Sequence, residues 1–111
     1  MAASADKYGD VIVISVDAEL SGDTVQQFRR VSEDQLKEGN LWFVLDFEKT
    51  ASMDSMGLET LLWFRDEVEA HTGMAKVCAL DETCAKIFEL TRFDRKFEMF
   101  EAATDAVKSY E

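Results

Sequence analysis

The sequence predicts an α/β domain: a mixed, mainly parallel sheet of four to five strands with about four packed helices. Residues 11–16 read VIVISV and residues 41–47 read LWFVLDF, two nearly unbroken apolar runs of strand length. Such runs, rich in β-branched and aromatic residues, suit strands buried on both faces. The segments after them carry apolar residues at helical spacing, so strands and helices alternate from end to end. That alternation implies parallel strands joined by right-handed helical crossovers.

Each element has its own signal. Gly9-Asp10 is a turn ahead of the first strong strand and leaves room for a short edge strand near Lys7 and Tyr8, while about residues 1–6 are expected to be disordered. Asp23 reads as a helix N-cap, with Gln26 three residues on completing a capping box. Val25, Phe28, Val31, Gln35 and Leu36 follow at helical spacing, and Gly39-Asn40 ends the helix. Residues 48–53 form a polar connection after the second strong strand. A helix is then expected from Asp54 or Ser55 to Ala70, stopped by His71-Thr72-Gly73. Residues 74–80 make a third strand. Asp81 caps the next helix, whose inner face holds Cys84, Ile87, Phe88 and Thr91. Residues 96–100 form a short strand. Residues 101–110 form a last helix with Ala103, Ala106, Val107 and Tyr110 as its apolar stripe.

A chain of 111 residues suits one domain, residues 1–111. Its 47% hydrophobic residues supply one core. A domain of this size buries about two-thirds of its unfolded surface and needs no metal or disulfide to fold. The 23 Asp and Glu residues against 12 Lys and Arg leave a net charge of −11. That charge repels phosphates and anionic lipid, which argues against nucleic acid and membrane partners and favours a partner with a basic face. Cys78 and Cys84 match no zinc or redox spacing and lie in apolar runs, so both read as reduced, buried thiols. With no signal-peptide character and no stretch of ~20 apolar residues, a cytoplasmic location is expected. There is no Gly-rich phosphate loop, and His71 sits at a helix C-terminus with no triad arrangement nearby. No catalytic activity, cofactor or metal is therefore expected. Asp46, Glu48 and Asp54 gather near one junction, yet an acidic chain makes such clusters by chance.

In open α/β sheets, functional sites gather where strand C-termini meet helix N-termini. Residues 46–57 form such a junction. An apolar strand ends in Asp46, a short polar connection follows, and Asp54-Ser55-x-Gly57-Leu58 opens an amphipathic helix. This pattern resembles the STAS domain family, whose simplest members are bacterial anti-sigma factor antagonists. Residues 84–94, CAKIFELTRFD, are similar to the family's penultimate helix and turn, and the phenylalanine-rich closing strand and last helix are similar too. The resemblance implies a single STAS-like domain and a binding protein rather than an enzyme. It implies a partner-switching pathway that regulates transcription. There the unmodified antagonist binds an anti-sigma factor that is also a serine-protein kinase, and a sigma factor is released. The kinase then phosphorylates the serine in the position of Ser55 and the complex separates, and a PP2C-type serine phosphatase resets it. The chain departs from the pattern in two places: Ser21 stands where many members carry Asp, with Asp23 two residues on, and Met56 replaces a Ser or Thr.

The physics of that junction suits a switch. A serine at a helix start can accept from free first-turn amides, which with the helix dipole also tolerate a phosphate. Phosphorylation adds about −1.5 to −2 charges beside Asp54, Glu48 and Glu59, so its effect would fall on whatever docks there. Gly57 is expected to let a partner's backbone approach. The wheel places Leu58, Leu61, Leu62, Arg65 and Val68 on the core side and Met56 and Trp63 opposite, as an exposed contact; Trp63 packing on a neighbouring helix is the alternative. The expected partner-binding set is Ser21, Asp23, Asp54, Ser55, Met56, Gly57, Glu59 and Trp63. The competing expectation is a STAS scaffold subunit with constitutive binding, for example to a transporter component, and Ser55 unmodified.

Overall fold

The computed structural model describes residues 2–111 and alternates strands and helices along the chain. The strands are β1 (Ala3–Tyr8), β2 (Val11–Val16), β3 (Trp42–Asp46), β4 (Met74–Cys78) and β5 (Met99–Phe100). The helices are α1 (Gly22–Lys37), α2 (Ser55–Ala70), α3 (Glu82–Thr91) and α4 (Ala103–Lys108), with a 3₁₀ turn at Phe93–Arg95. The strands lie in chain order in one 5-stranded sheet. β1 is antiparallel to β2 and every other pairing is parallel.

That order decides how the helices are shared. The sheet grows in one direction, and crossovers of one hand put α1, α2 and α3 on a single face. Ile12 and Ile14 of β2, Phe43 and Leu45 of β3, and Val77 of β4 face them. Phe64 of α2 packs edge-on against both Phe28 of α1 and Phe43, with ring centroids 5.7 and 5.0 Å apart. The other face, with Val11, Val13, Val44 and Cys78, is covered only by α4 through Ala106, Ala103, Val107 and Tyr110. The apolar stripe expected for the last helix is the one observed.

Some expectations are corrected. Residues 3–6 are not disordered: β1 starts at Ala3, which is buried, and pairs along β2 as far as Tyr8. Met1 lies outside the described residues. Asp23 is not the cap of α1. The helix starts at Gly22 and Ser21 holds the extended N-cap position without a side-chain capping bond, so Asp23 falls inside the first turn. On α2 the core side is formed by Gly57, Thr60, Leu61, Phe64 and Val68. Leu58, Leu62 and Trp63 are only partly buried against it. The core stripe is rotated from the expected one: small Gly57 and polar Thr60, which carry no apolar signal, face inward together with Phe64.

Candidate switch and docking site

Two helix N-termini are stitched together at the C-terminal edge of the sheet. Leu20 and Met53 form an isolated parallel bridge: the Leu20 amide donates to the Ser52 carbonyl at 3.0 Å and the Asp54 amide donates to the Leu20 carbonyl at 3.3 Å. Both side chains are buried, so the bridge anchors the residues ahead of α1 to those ahead of α2. Ser21 and Asp54 follow directly. The loop between β3 and α2 is held from below by Thr50, whose buried hydroxyl donates to the Val16 carbonyl at 2.7 Å. The Cys84 thiol in turn donates to the Thr50 carbonyl at 3.4 Å. At the start of this loop Asp46 accepts from the Glu48 amide at 3.0 Å, an Asx turn that redirects the chain out of β3.

Asp54 is the N-cap of α2, and its carboxylate accepts from the Gly57 amide at 2.8 Å. Ser55 is therefore the first helical residue, not the cap. It is exposed, as are Asp54, Met56 and Glu59. The expectation that its hydroxyl accepts from the first-turn amides gives way to Asp54, because an extended N-cap aims its own side chain back over the turn. The Gly57 amide is taken by Asp54 and the Leu58 amide donates to the Asp54 carbonyl, leaving the Ser55 and Met56 amides at the tip for an incoming anion.

The expected reason for Gly57 is also corrected. Gly57 is buried, and a Cβ there would overlap the carbonyl oxygen of Leu20. The backbone it admits belongs to this chain, not to a partner. Trp63 splits the two readings made of it. It is half-buried on the seam with α1, where the Arg29 guanidinium stacks over its ring at 4.1 Å. It also borders a cavity of about 270 Å³ shared with Leu36, Lys37, Glu67 and His71. Met56, 54% exposed, is the open apolar side chain beside Ser55. Ser21 is partly exposed and Asp23 exposed, on the neighbouring helix tip.

Sequence reasoning missed Leu20, Met53 and Thr50, which build the junction, and Arg29, which orients Trp63. A buried threonine in a polar stretch and an arginine on an amphipathic helix look like surface residues until the fold is known. Both cysteines are free and buried. Burial, then the Asp46 carboxylate, pushes the Cys78 thiol up to about 12; burial, then Asp81, does the same to Cys84. Neither is a nucleophile near neutral pH. Among the described residues no group of three or more His, Cys, Asp or Glu side chains is placed to hold a metal, and no helix is long and apolar enough to cross a membrane.

The sheet order and the stitched pair of helix tips define a small α/β domain with its candidate site at the strand C-termini. The chain belongs to the STAS domain family, whose model matches residues 2–106. Its fold is similar to that of an anti-sigma factor antagonist from Mycobacterium paratuberculosis, with a TM-score of 0.86, 20% identity, and 96% of this chain and 91% of that one covered. It is similar to the Bacillus cell fate determinant SpoIIAA in its phosphorylated form, with a TM-score of 0.79, 22% identity, and 99% and 100% covered. It is also similar to part of the murine anion transporter Slc26a9, with a TM-score of 0.75 and 15% identity, covering 92% of this chain but 18% of that one.

Proposed function

We propose that this chain is an anti-sigma factor antagonist acting by partner switching. In its unphosphorylated form it binds an anti-sigma factor that is also a serine-protein kinase, in the cytoplasm, and so frees a sigma factor. Phosphorylation of Ser55 ends that binding, and a PP2C-type serine phosphatase restores it. The chain itself contributes binding, not catalysis.

The observation that carries this reading is the exposed Ser55 at the first helical position of α2, with its hydroxyl spared from capping by Asp54. An accessible hydroxyl at a helix tip is what a kinase needs. The tip's two open amides let the domain keep its fold with a phosphate attached. Ser21, Asp23, Asp54, Met56 and Glu59 lie around it as the docking face, the exposed part of Trp63 extends that face about two turns along α2, and Gly57 sets the close packing underneath. The face is acidic, so a partner docks through basic residues and meets two further negative charges after modification. A charge left buried and unpaired at an interface costs roughly 2–5 kcal/mol. By the tenfold-per-1.4 kcal/mol rule this is about 30-fold to several thousand-fold in affinity, enough to release a partner.

The test is a binding measurement with the co-purified kinase partner and three forms of the chain. Ser55→Ala should bind as the wild type does and resist phosphorylation, read by intact mass. Ser55→Asp should lose binding. If Ser55→Asp binds as tightly as wild type and no phosphate is found on the chain from its native cell, the constitutive scaffold reading replaces the switch. The transporter likeness makes that second reading concrete, with the domain docked permanently on a larger assembly.

A further inference from the structure

Register partners in a sheet point to the same side. On the α4 face, Tyr8 therefore lies beside Val11, Asp6 beside Val13, and Ser4 beside Ser15 and then Asp46. α4 has 6 residues and seats Ala106 in the cluster with Val11, Val13, Val44 and Cys78, to which β1, the edge strand, contributes no residue. A groove of about 380 Å³ opens there between β1 and α4, with Tyr8, Val13 and Val107 among its apolar walls and Lys108 and Glu111 also lining it. It continues into a second hollow of about 280 Å³ bordered by Asp6, Asp17, Asp46 and Glu48, with Lys49 as the one cation in its lining. Asp6, Ser15 and Asp46 border both. The trough thus runs from an aromatic end, where Tyr8 is 56% exposed, to an acidic end. Among the described residues none of these carboxylates takes part in an ion pair.

We propose that the open β1 edge of this sheet face docks a basic amphipathic segment of a partner protein. Its apolar side chains sit between Tyr8 and Val107, and its Lys or Arg side chains lie beside Asp6 and Asp46. Charge complementarity selects the occupant. A second copy of a chain of net charge −11 would set carboxylate against carboxylate, and nucleic acid or anionic lipid would be repelled in the same way. The trough lies on the opposite sheet face from α2, so the proposal stands apart from the reading of Ser55 and goes beyond it.

The test uses the full chain, isotope-labelled for NMR, titrated with a synthetic peptide of alternating Leu and Lys and with a Leu-Glu control. Salt is held at about 0.15 M, where screening over ~8 Å suppresses diffuse attraction. The Leu-Lys peptide should shift the amides of Asp6, Ser15, Asp46 and Thr104, and the control should shift none. Asp6→Lys and Thr104→Arg, both at exposed positions, should each weaken binding about tenfold or more. Asp34→Lys, on the exposed side of α1, makes the same charge change elsewhere and should weaken it less than about twofold. The proposal is overturned if the peptide fails to bind at about 1 mM, or if its shifts map to α1 and α2. It also falls if Asp34→Lys weakens binding as much as Asp6→Lys does, or if the trough's amides shift with protein concentration alone, which would make a second copy the occupant. The shift map on the wild-type chain decides the matter even if a variant folds poorly.

Discussion

At Gly57 the requirement is steric before it is functional. A methyl group there meets the backbone of Leu20, which cannot rotate away as a side chain could, so α2 or the Leu20–Met53 bridge must move. Gly57→Ala should therefore destabilise the domain by about 1–3 kcal/mol, despite the better helix propensity of alanine, in urea unfolding followed by circular dichroism. An unchanged or raised midpoint would show that the two helix tips are not locked together. Asp54→Ala removes the cap from the same turn and should cost about 1 kcal/mol, leaving Ser55 exposed but on a frayed tip. The cysteines give a pH signature. Their folded-state values of about 12 lie above the ordinary 9.0. The folded state thus holds the thiol protons that the unfolded chain gives up. That contribution is complete below about pH 9 and is lost as pH rises towards 12. A Cys78→Ala, Cys84→Ala double variant should be less stable at neutral pH through lost packing, and its stability should fall less steeply across that window. Equal slopes in urea unfolding at several alkaline pH values would refute the assignment.

Among the elements, α4 is the most dependent on its surroundings. A helix of 6 residues with no side-chain cap at Ala102 has no stability of its own. It is held by the apolar seat of Ala106 and by Tyr110, just beyond its end, whose hydroxyl donates to the carbonyls of Phe43 at 2.7 Å and Met74 at 3.0 Å. Lys76, buried on β4, completes the clasp. Its ammonium donates to the Ser109 hydroxyl at 2.7 Å, lies 3.5 Å from a Glu98 carboxylate oxygen, and sits 4.1 Å from the centre of the Tyr110 ring. Tyr110→Phe should cost about 1 kcal/mol, and its effect should be local. Amide hydrogen exchange should quicken across α4 while α2, on the other sheet face, keeps its protection. Faster exchange spread evenly over both helices would mean that α4 and the main core open as one unit.

For the whole molecule the dominant long-range term is its charge of −11. The ion pairs present are mostly exposed and local along helices, and such pairs contribute about 0–1 kcal/mol each. Self-repulsion among the remaining carboxylates is screened by salt, whereas burial of the aromatic core is not weakened by it. The melting temperature should therefore rise as salt increases from about 10 mM to about 150 mM, over which the Debye length falls from ~30 to ~8 Å. A fall in melting temperature over that range would mean that the ion pairs outweigh the repulsion. The same field affects recognition, since association with a basic partner should slow with added salt.

Sequence by itself determined the alternation of strands and helices, the mixed, mainly parallel sheet and the start of α2 within a residue, and it singled out Asp54 and Ser55 as the candidate site. Those features rest on local signals: long apolar runs, helical spacing, an acidic cap, and a motif contiguous along the chain. Only the tertiary structure decided that β1 extends back to Ala3, that Asp54 rather than Ser55 caps the helix, and that Gly57 yields to Leu20. It also decided that Trp63 rests under Arg29, that Lys76 and Thr50 are buried, and that the β1 edge of one sheet face stays open. Apart from the Asp54 cap and the β1 hairpin, these turn on contacts between segments tens of residues apart. The pattern of one segment records how it prefers to fold, and not which backbone or charge another segment will bring against it.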